Sequence, residues 1–323
     1  MIFSRKLDLI TIGDSMIDTF LFMSPKVVKI DPEGPRASIA WGEKLPVESY
    51  HKSVAGNGIN NVIGASRLGL HSAFYTIVGD DVGGREITHK LKKEGVNLDY
   101  LIRSKESQTS ASVVLSVNAE RSIFVYHYKR EYEFPKLKKS SWIYLTSMAS
   151  GCEKIYPKLV KWIKQNNISL GYNPGTHQLI AGVDKSKKIL QVSTFISVNK
   201  EEAISWVGPG SSLELCQKLA ALGPKIIVLT DGRKGAYAYT AGELWYIREF
   251  PGKRFEATGA GDSFTSAFLS ALHYKQPVSE ALVWGAINAM KVVGQIGPIA
   301  GLQTKKELLS LRKSHRNFKA KKI

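Results

Sequence analysis

The 323-residue sequence lacks the features that mark secreted, membrane-spanning and metal-binding proteins. Its only two cysteines, Cys152 and Cys216, have no metal-type spacing and are too few for a disulfide framework. No apolar run is long enough to cross a bilayer, and the first residues lead into a strand-like segment without the apolar region of a signal peptide. These absences predict a cytoplasmic protein with no membrane partner, in a compartment that keeps thiols reduced.

Acidic residues are scarce relative to basic ones, and the formal net charge is +17. Six of the basic residues lie within 312–323, a segment that contains no acid, and the others are scattered along the chain. No homeodomain, zinc-finger or RNP pattern accompanies them, so we expect no specific nucleic-acid partner. We interpret 312–323 as a disordered basic tail outside a folded domain that spans 1–311.

The order of the apolar segments predicts an α/β fold. From residue 142 onward strand-like and helical runs alternate, which is the rhythm of a parallel sheet wound with helices. Two segments, 19–54 and 107–130, instead contain short β-like runs and turns, including a hairpin whose turn is predicted at 118–120. We therefore expect one large α/β domain with a small β subdomain built from these two inserts.

The most informative segment is Thr258-Gly259-Ala260-Gly261-Asp262, directly ahead of an apolar helical stretch. Small residues let backbone N–H groups turn toward a ligand, and the N-terminus of a helix attracts anions. A carboxylate beside such a turn suits phosphoryl transfer to an alcohol, because the proton of the alcohol needs an acceptor. The alternative from the residues alone is a tight turn in which Asp262 caps the helix.

A second Gly-rich segment, Ala55-Gly56-Asn57-Gly58-Ile59-Asn60, opens another predicted helix. Polar residues also follow predicted strands, at Gly13-Asp14, Asn199 and Thr230. Because ligands bind outside the carboxyl ends of strands in open α/β sheets, one site could collect them all. No Gly-x₄-Gly-Lys-Ser/Thr segment and no set of protein-kinase motifs occurs, which disfavours both of those kinase classes.

Both Gly-rich segments, in this order and with the motifs between them, resemble those of the ribokinase-like (PfkB-type) carbohydrate kinase family, which also includes adenosine kinases and fructokinases. The resemblance extends from Ile10 to about Gly301. It implies a three-layer α/β/α fold with a mostly parallel central sheet and a small β-sheet lid from about 19–54 and 107–130. It also implies a carbohydrate kinase that uses ATP and Mg²⁺ and moves the γ-phosphoryl group to a hydroxyl, expected to be primary, of a sugar.

The resemblance also implies roles for individual residues. Asp262 would be the base toward the acceptor hydroxyl, and the backbone amides of Gly259, Ala260 and Gly261 would form the anion hole. The residues implied to bind the acceptor are Asp18, Gly56, Asn57 and Asn60, with Asp14 as a second candidate. Those implied to bind the nucleotide are Thr230, Gly232, Gly235, Asn199 and, at the adenine edge, Asn288, while Glu202 would organise Mg²⁺ through water. Without the resemblance, Asp18 is a turn acid, Asn60 a helix-surface residue and Asn199 a helix cap.

The chain departs from the family pattern at Glu256-Ala257, where members activated by a monovalent cation typically have Asp-Thr. A longer carboxylate and a lost hydroxyl put potassium activation in doubt. The lid pairs with a second subunit in several members, so a homodimer through it is an expectation. Two roles are open for the residues at or beyond the hairpin, as contacts to an anionic substrate (a sugar phosphate or sugar acid) or as a plain exposed edge protected by charge. These residues are Arg121, His127, Tyr128, Lys129 and Arg130.

Two alternatives to a sugar kinase stay open at this point. A nucleoside kinase of the adenosine, cytidine or inosine type would be supported by an aromatic lid residue that stacks on a base, for which the candidates are Phe20, Phe22, Trp41 and Tyr126. The third hypothesis is a catalytically silent ligand- or nucleic-acid-binding protein, against which an intact Asp262 argues.

Overall fold

The computed structural model describes residues 6–31, 36–117 and 120–323, and the side chains of Ile30 and Glu120 are not described. Asn118 and Ala119, two of the three residues of the hairpin turn predicted at 118–120, lie outside these residues. The helices are α1 Asn57–Arg67, α2 Val82–Lys93, α3 Tyr156–Asn166, α4 Thr176–Ala181, α5 Val183–Leu190, α6 Lys200–Val207, α7 Ser212–Ala220, α8 Ala260–His273, α9 Val278–Val293 and α10 Lys305–Ser314. The strands are β1 Leu7–Ile12, β2 Met16–Phe22, β3 Val28–Ile30, β4 Ala37–Ile39, β5 Ser49–Ala55, β6 Ser72–Gly79, β7 Leu101–Ser104, β8 Ser110–Val117, β9 Glu120–Tyr126, β10 Ser140–Leu145, β11 Ser169–Tyr172, β12 Phe195–Asn199, β13 Ile226–Thr230, β14 Ala236–Thr240, β15 Glu243–Ile247 and β16 Lys321–Lys322.

The central sheet is mostly parallel. Its strand order is β16-β15-β14-β13-β12-β11-β10-β1-β6-β7, and the pairs from β13 through β7 are parallel. Within this sheet, only the described strands β13, β14, β15 and β16 at one edge form antiparallel pairs. The expected α/β class with a mostly parallel sheet is therefore confirmed.

Alternation along the strands builds a hydrophobic core on each face of this sheet. On β1, Ile10 and Ile12 pack into a cluster that contains residues of α3, α5, α6 and α7, whereas Leu9 packs into a cluster with α1, α8, α9 and α10. All three side chains are fully buried. Because consecutive strand residues face opposite sides, a run that is apolar throughout requires helices on both faces. The result is the expected three-layer α/β/α arrangement.

A second, smaller sheet stands apart from the central one. Its strand order is β5-β2-β8-β9, and a separate ribbon pairs β3 with β4. We call the four strands β2, β5, β8 and β9 the small sheet. They come from the two inserts identified in the sequence, so the expected small β-sheet is confirmed.

The basic C-terminal segment is ordered against the central sheet, so the expectation of a disordered tail is wrong. Phe318 is 5% exposed and its ring meets that of Phe250 edge to face at 5.0 Å between centroids. Arg312 donates from Nε and Nη2 to the two carboxylate oxygens of Glu280, and β16 pairs with β15. An apolar anchor and ion pairs to acids far away in sequence outweigh the local repulsion of the basic residues. None of the helices in the described ranges is long and apolar enough to cross a membrane.

This docking predicts that Phe318→Ala lowers the free energy of unfolding by about 3 kcal/mol, as is usual when a buried phenylalanine is truncated. Urea unfolding measures the effect, and Lys319→Ala, an exposed neighbour, is the matched control with a change within about 0.5 kcal/mol. Equal stabilities of the two variants would mean that the tail does not pack on the domain in solution.

Candidate active site

The two Gly-rich segments meet through one hydrogen bond. Asn60 Nδ2 donates to Asp262 Oδ2 at 2.9 Å, although the residues are 202 positions apart. Each segment begins a helix after a glycine with positive φ, +111° at Gly56 before α1 and +78° at Gly259 before α8. Since other residues rarely adopt these angles, both turns require glycine. The helices then bring their N-terminal ends to the same place.

The turn before α8 offers free backbone donors. The first N–H groups of a helix have no acceptor inside it. In the described part of the chain the amides of Gly259, Gly261 and Asp262 donate no hydrogen bond, whereas that of Ala260 donates to the carbonyl of Ala257 at 3.3 Å. Two of the three predicted anion-hole amides are thus free, and the amide of Asp262 itself, which the sequence did not single out, is the third. A Cβ on Gly261 would meet open space, so a ligand can approach this turn.

The side chain of Asp262 is held in a nearly dry environment. It is 9% exposed, and burial raises its pKa to about 6. The hydrogen bond from Asn60 opposes that rise because it favours the ionised form, and the charges of Glu202 and Asp18 add to it. A carboxylate with a pKa near 6 is still ionised at neutral pH and is a stronger base than an exposed one.

Asp14 is a second desolvated carboxylate, at the carboxyl end of β1. Tyr132 donates to its Oδ1 at 2.8 Å, and the amide of Ala149 donates to the Tyr132 hydroxyl at 3.0 Å. Burial raises the pKa of Asp14 to about 6 in spite of these contacts. Nδ1 of His127 lies 3.9 Å from the other oxygen, Oδ2. Tyr132 is a site residue that the sequence pattern did not reveal.

Asp18 lies on β2 of the small sheet and is 6% exposed. Ser112 on the paired strand β8 donates to its Oδ1 at 2.6 Å, and the two residues face each other in the strand register. Burial raises the pKa of Asp18, the Ser112 hydrogen bond lowers it, and the nearby charge of Glu256 raises it. The charge of Asp18 also raises the pKa of Asp262, so the two carboxylates lie near each other.

Three buried carboxylate or amide oxygens around this site have no hydrogen-bond partner among the described residues. They are Oδ2 of Asp14, Oδ1 of Asn60 and Oε2 of Glu256. Buried polar atoms are almost always satisfied in folded proteins, so unsatisfied ones at a site mark where a water or a ligand binds. All three atoms are acceptors, and a ligand that satisfies them must bring donors. Asp14, Asp18, Asn60 and Asp262 are called the acceptor site below.

An apolar cavity adjoins the turn before α8. Ala260 and Gly261 line it, together with the predicted residues Thr230, Gly232 and Gly235 near the carboxyl end of β13. Its walls come from one face of α9 and from neighbouring apolar side chains, namely Ile247, Phe250, Phe264, Ala286, Ala289, Met290 and Val293. The i, i+3, i+4, i+7 spacing of Ala286, Ala289, Met290 and Val293 was visible in the sequence, but that spacing is equally typical of a core helix.

Asn199 and Glu202 form a capping box at the start of α6. Asn199 Oδ1 accepts from the amide of Glu202 at 2.8 Å, and Glu202 Oε2 accepts from the amide of Asn199 at 2.8 Å. Burial raises the pKa of Glu202, and its charge acts on Asp262. Asn199 therefore serves as the cap that the residues alone allowed, with its side-chain oxygen engaged, while Glu202 Oε1 has no hydrogen bond to a described residue. No group of three or more His, Cys, Asp and Glu in the described ranges is arranged to hold a metal ion by itself.

Asn288 does not line the apolar cavity. It is fully buried in α9, where Nδ2 donates to the Ser263 carbonyl at 2.8 Å and Oδ1 accepts from the amide of Gln303 at 3.0 Å. Its amide group thus ties α8 and α9 to the segment before α10, and the expectation of a contact with an adenine edge is not supported. Asn57, the first residue of α1, and Gly56 lie beside the acceptor site; a Cβ on Gly56 would be 2.9 Å from the Asp14 carbonyl oxygen.

Comparison with protein families places the chain among sugar kinases. Residues 26–305 match the family model described as pfkB family carbohydrate kinase. Among curated proteins, an ATP-dependent 6-phosphofructokinase of Thermoanaerobacterium thermosaccharolyticum is 24% identical over 96% of each chain. A ribokinase of Haemophilus influenzae is 23% identical over 83% of this chain and 90% of its own.

Among solved structures, Arabidopsis thaliana ribokinase complexed with ribose and ATP has a TM-score of 0.79 at 21% identity, covering 96% of this chain and 99% of its own. Identity this low shows a shared fold. The match agrees with the three layers and the separate small sheet described above.

Proposed function

Because the chain belongs to the PfkB family of carbohydrate kinases, we propose that it transfers the γ-phosphoryl group of ATP to a hydroxyl of a sugar at the acceptor site. The observation that carries this proposal is the position of Asp262. The carboxylate lies on the first turn of α8, next to the free amides of Gly259 and Gly261 and hydrogen-bonded to Asn60, and Ala260 and Gly261 of the same turn line the apolar cavity.

The proposed step needs both features of this turn. The acceptor oxygen attacks the γ-phosphorus, its proton passes to Asp262, and the bond from phosphorus to the bridging oxygen of ADP breaks. A positioned base contributes about 10²–10⁴-fold to such a step. The free amides stabilise the negative charge of the transferring group without having to reorient, because the turn fixes them.

The acceptor is a polyol in this proposal. Asp14 Oδ2, Asn60 Oδ1 and Glu256 Oε2 are acceptors without a donor, and a sugar supplies several hydroxyl donors within a small volume. Of the aromatic candidates for stacking on a nucleobase, Phe20 is fully buried and offers no ring face to a ligand.

The apolar cavity fits a nucleotide base, and the free amide of Gly261, which lines it, fits a phosphate. Thr230 and Gly235 line this cavity together with Gly261, and a Cβ on Gly235 would collide with the Ile247 carbonyl oxygen. Mg²⁺ usually keeps much of its water and bridges phosphates, so a single carboxylate such as Glu202 can hold it through water. When bound, Mg²⁺ would neutralise charge on the phosphates. Cys152 and Cys216 are free thiols, which is consistent with a protein that acts in the reducing cytoplasm.

We further propose that two copies associate through the small sheet. Its edge strand β9 carries a row of exposed apolar side chains, of which Phe124 and Tyr126 are 63% and 62% exposed. Unpaired strand edges with apolar side chains favour pairing with another chain.

The kinase proposal predicts ATP consumption with at least one acceptor in a panel of sugars, sugar phosphates, sugar acids and nucleosides. With that acceptor, Asp262→Asn lowers kcat by about 10²–10⁴-fold because the proton acceptor is lost, while ADP binding measured by calorimetry changes little. Asp99→Asn, which removes an exposed carboxylate on the protein surface, is the matched control. A kcat for Asp262→Asn close to that of the wild type would refute the assigned base.

The panel also decides the acceptor class. Turnover with sugars and none with adenosine, cytidine or inosine is the expected pattern. Turnover confined to nucleosides would make the protein a nucleoside kinase, and no turnover with any compound would favour a silent binding protein.

The dimer proposal predicts a mass near twice 35.7 kDa by light scattering. Phe124→Asp should shift it to the monomer by placing a charge in the interface, whereas Ile180→Asp, at an exposed position on α4, should not. A monomeric wild type would exclude this assembly.

A further inference from the structure

An ion pair connects the small sheet to the segment that precedes α8. Nη1 of Arg121, on β9, lies 3.3 Å from Oε1 of Glu256. The Glu256 side chain is only 6% exposed, whereas that of Arg121 is 31% exposed. A buried carboxylate is costly without a compensating charge, so the position of Arg121 matters more to Glu256 than an exposed ion pair would.

The same carboxylate oxygen fixes the turn of the proposed anion hole. Glu256 Oε1 accepts from the amide of Thr258 at 2.7 Å and from its hydroxyl at 2.5 Å. Thr258 directly precedes Gly259, whose positive φ starts the turn with the free amides. A chain of direct contacts thus runs from Arg121 through Glu256 and Thr258 to the donors beside Asp262.

We propose that Arg121 and Glu256 are positioning residues that couple docking of the small sheet to formation of the anion-binding turn. The inference rests on the proposed function, because it assigns these residues a part in phosphoryl transfer. The small sheet also carries Asp18 of the acceptor site. When the small sheet docks, it brings Asp18 to the acceptor site and Arg121 to Glu256, and the ion pair then stabilises the turn.

Such coupling has a chemical purpose in a kinase. Amides that are oriented for the phosphoryl group before the acceptor side is assembled would also favour attack by water. A turn that is fully ordered only when the small sheet is docked limits this loss, since closure of a site over its substrate excludes water.

The chain offers a matched control for the ion pair. Lys52, on β5 of the same small sheet, pairs with Glu86 on α2 at 3.0 Å. That pair also holds the small sheet to the domain, but it contacts neither the turn nor the acceptor site. Lys52→Gln therefore removes a comparable charge without touching the proposed coupling.

The test compares Arg121→Gln, Arg121→Lys and Lys52→Gln by two independent measurements. The first is steady-state kinetics with the acceptor found in the panel. Arg121→Gln should lower kcat about tenfold, as expected for loss of a charge-assisted contact, with KM for the acceptor within about twofold and a larger fraction of ATP lost to hydrolysis. Arg121→Lys should restore most of kcat, and Lys52→Gln should leave it unchanged.

The second measurement is hydrogen exchange of the peptide that covers 256–264, which requires no turnover. Exchange should quicken in Arg121→Gln and in Glu256→Gln, and the double variant should resemble either single one because both act through one pair. Unchanged exchange and kcat in Arg121→Gln, or additive effects in the double variant, would overturn the coupling. Faster exchange in Arg121→Gln, together with a wild-type protein that phosphorylates nothing, would instead retain the coupling and refute the proposed function.

Discussion

The hydrogen bond between Asn60 and Asp262 is the contact on which the rest of the site depends. It can form only if the N-termini of α1 and α8 meet, although the residues are 202 positions apart. Packing enforces this meeting, because Gly64 in α1 lies so close to Ser266 in α8 that a Cβ there would collide with the serine side chain. The same contact orients Asp262 beside the free amides and opposes the rise of its pKa. The packing of α1 on α8 therefore determines the position and the pKa of the proposed base.

The site concentrates buried carboxylates, and burying such groups lowers the stability of the folded chain. Asp14, Asp18, Asp262 and Glu256 are all buried, and each of the three aspartates has a raised pKa whose largest cause is burial. Ionised carboxylates without enough donors destabilise a folded chain at neutral pH. The core on both faces of the central sheet offsets that cost. Buried carboxylates that lack donors are expected at a functional site, where a bound ligand supplies the missing donors.

The sequence predicted those features of the fold and site that depend only on residues close together in the chain. Apolar alternation and Gly-rich helix starts predicted the α/β class, the small sheet and the turn at Thr258–Asp262, because strand burial and positive φ are properties of a few neighbouring residues. Contacts made across the fold could not be predicted. Tyr132 contacts Asp14 although the two are 118 positions apart, and Arg121 on the small sheet contacts Glu256 in the segment before α8. The burial of Phe318, which holds the basic segment on the domain, also depends on such contacts. So do the hydrogen bonds that the Asn288 side chain makes with Ser263 and Gln303.

The central claim is that Asp262 is a desolvated base held by Asn60. The most direct test is a ¹³C NMR titration of the aspartate carboxyl carbons, with Asp262→Asn used to assign the signal. The account predicts a midpoint near pH 6 for Asp262, since burial raises its pKa to about 6. In Asn60→Ala the midpoint should move higher, because the lost hydrogen bond favoured the ionised form. A midpoint near the ordinary value of 3.8, unchanged in Asn60→Ala, would contradict the claim.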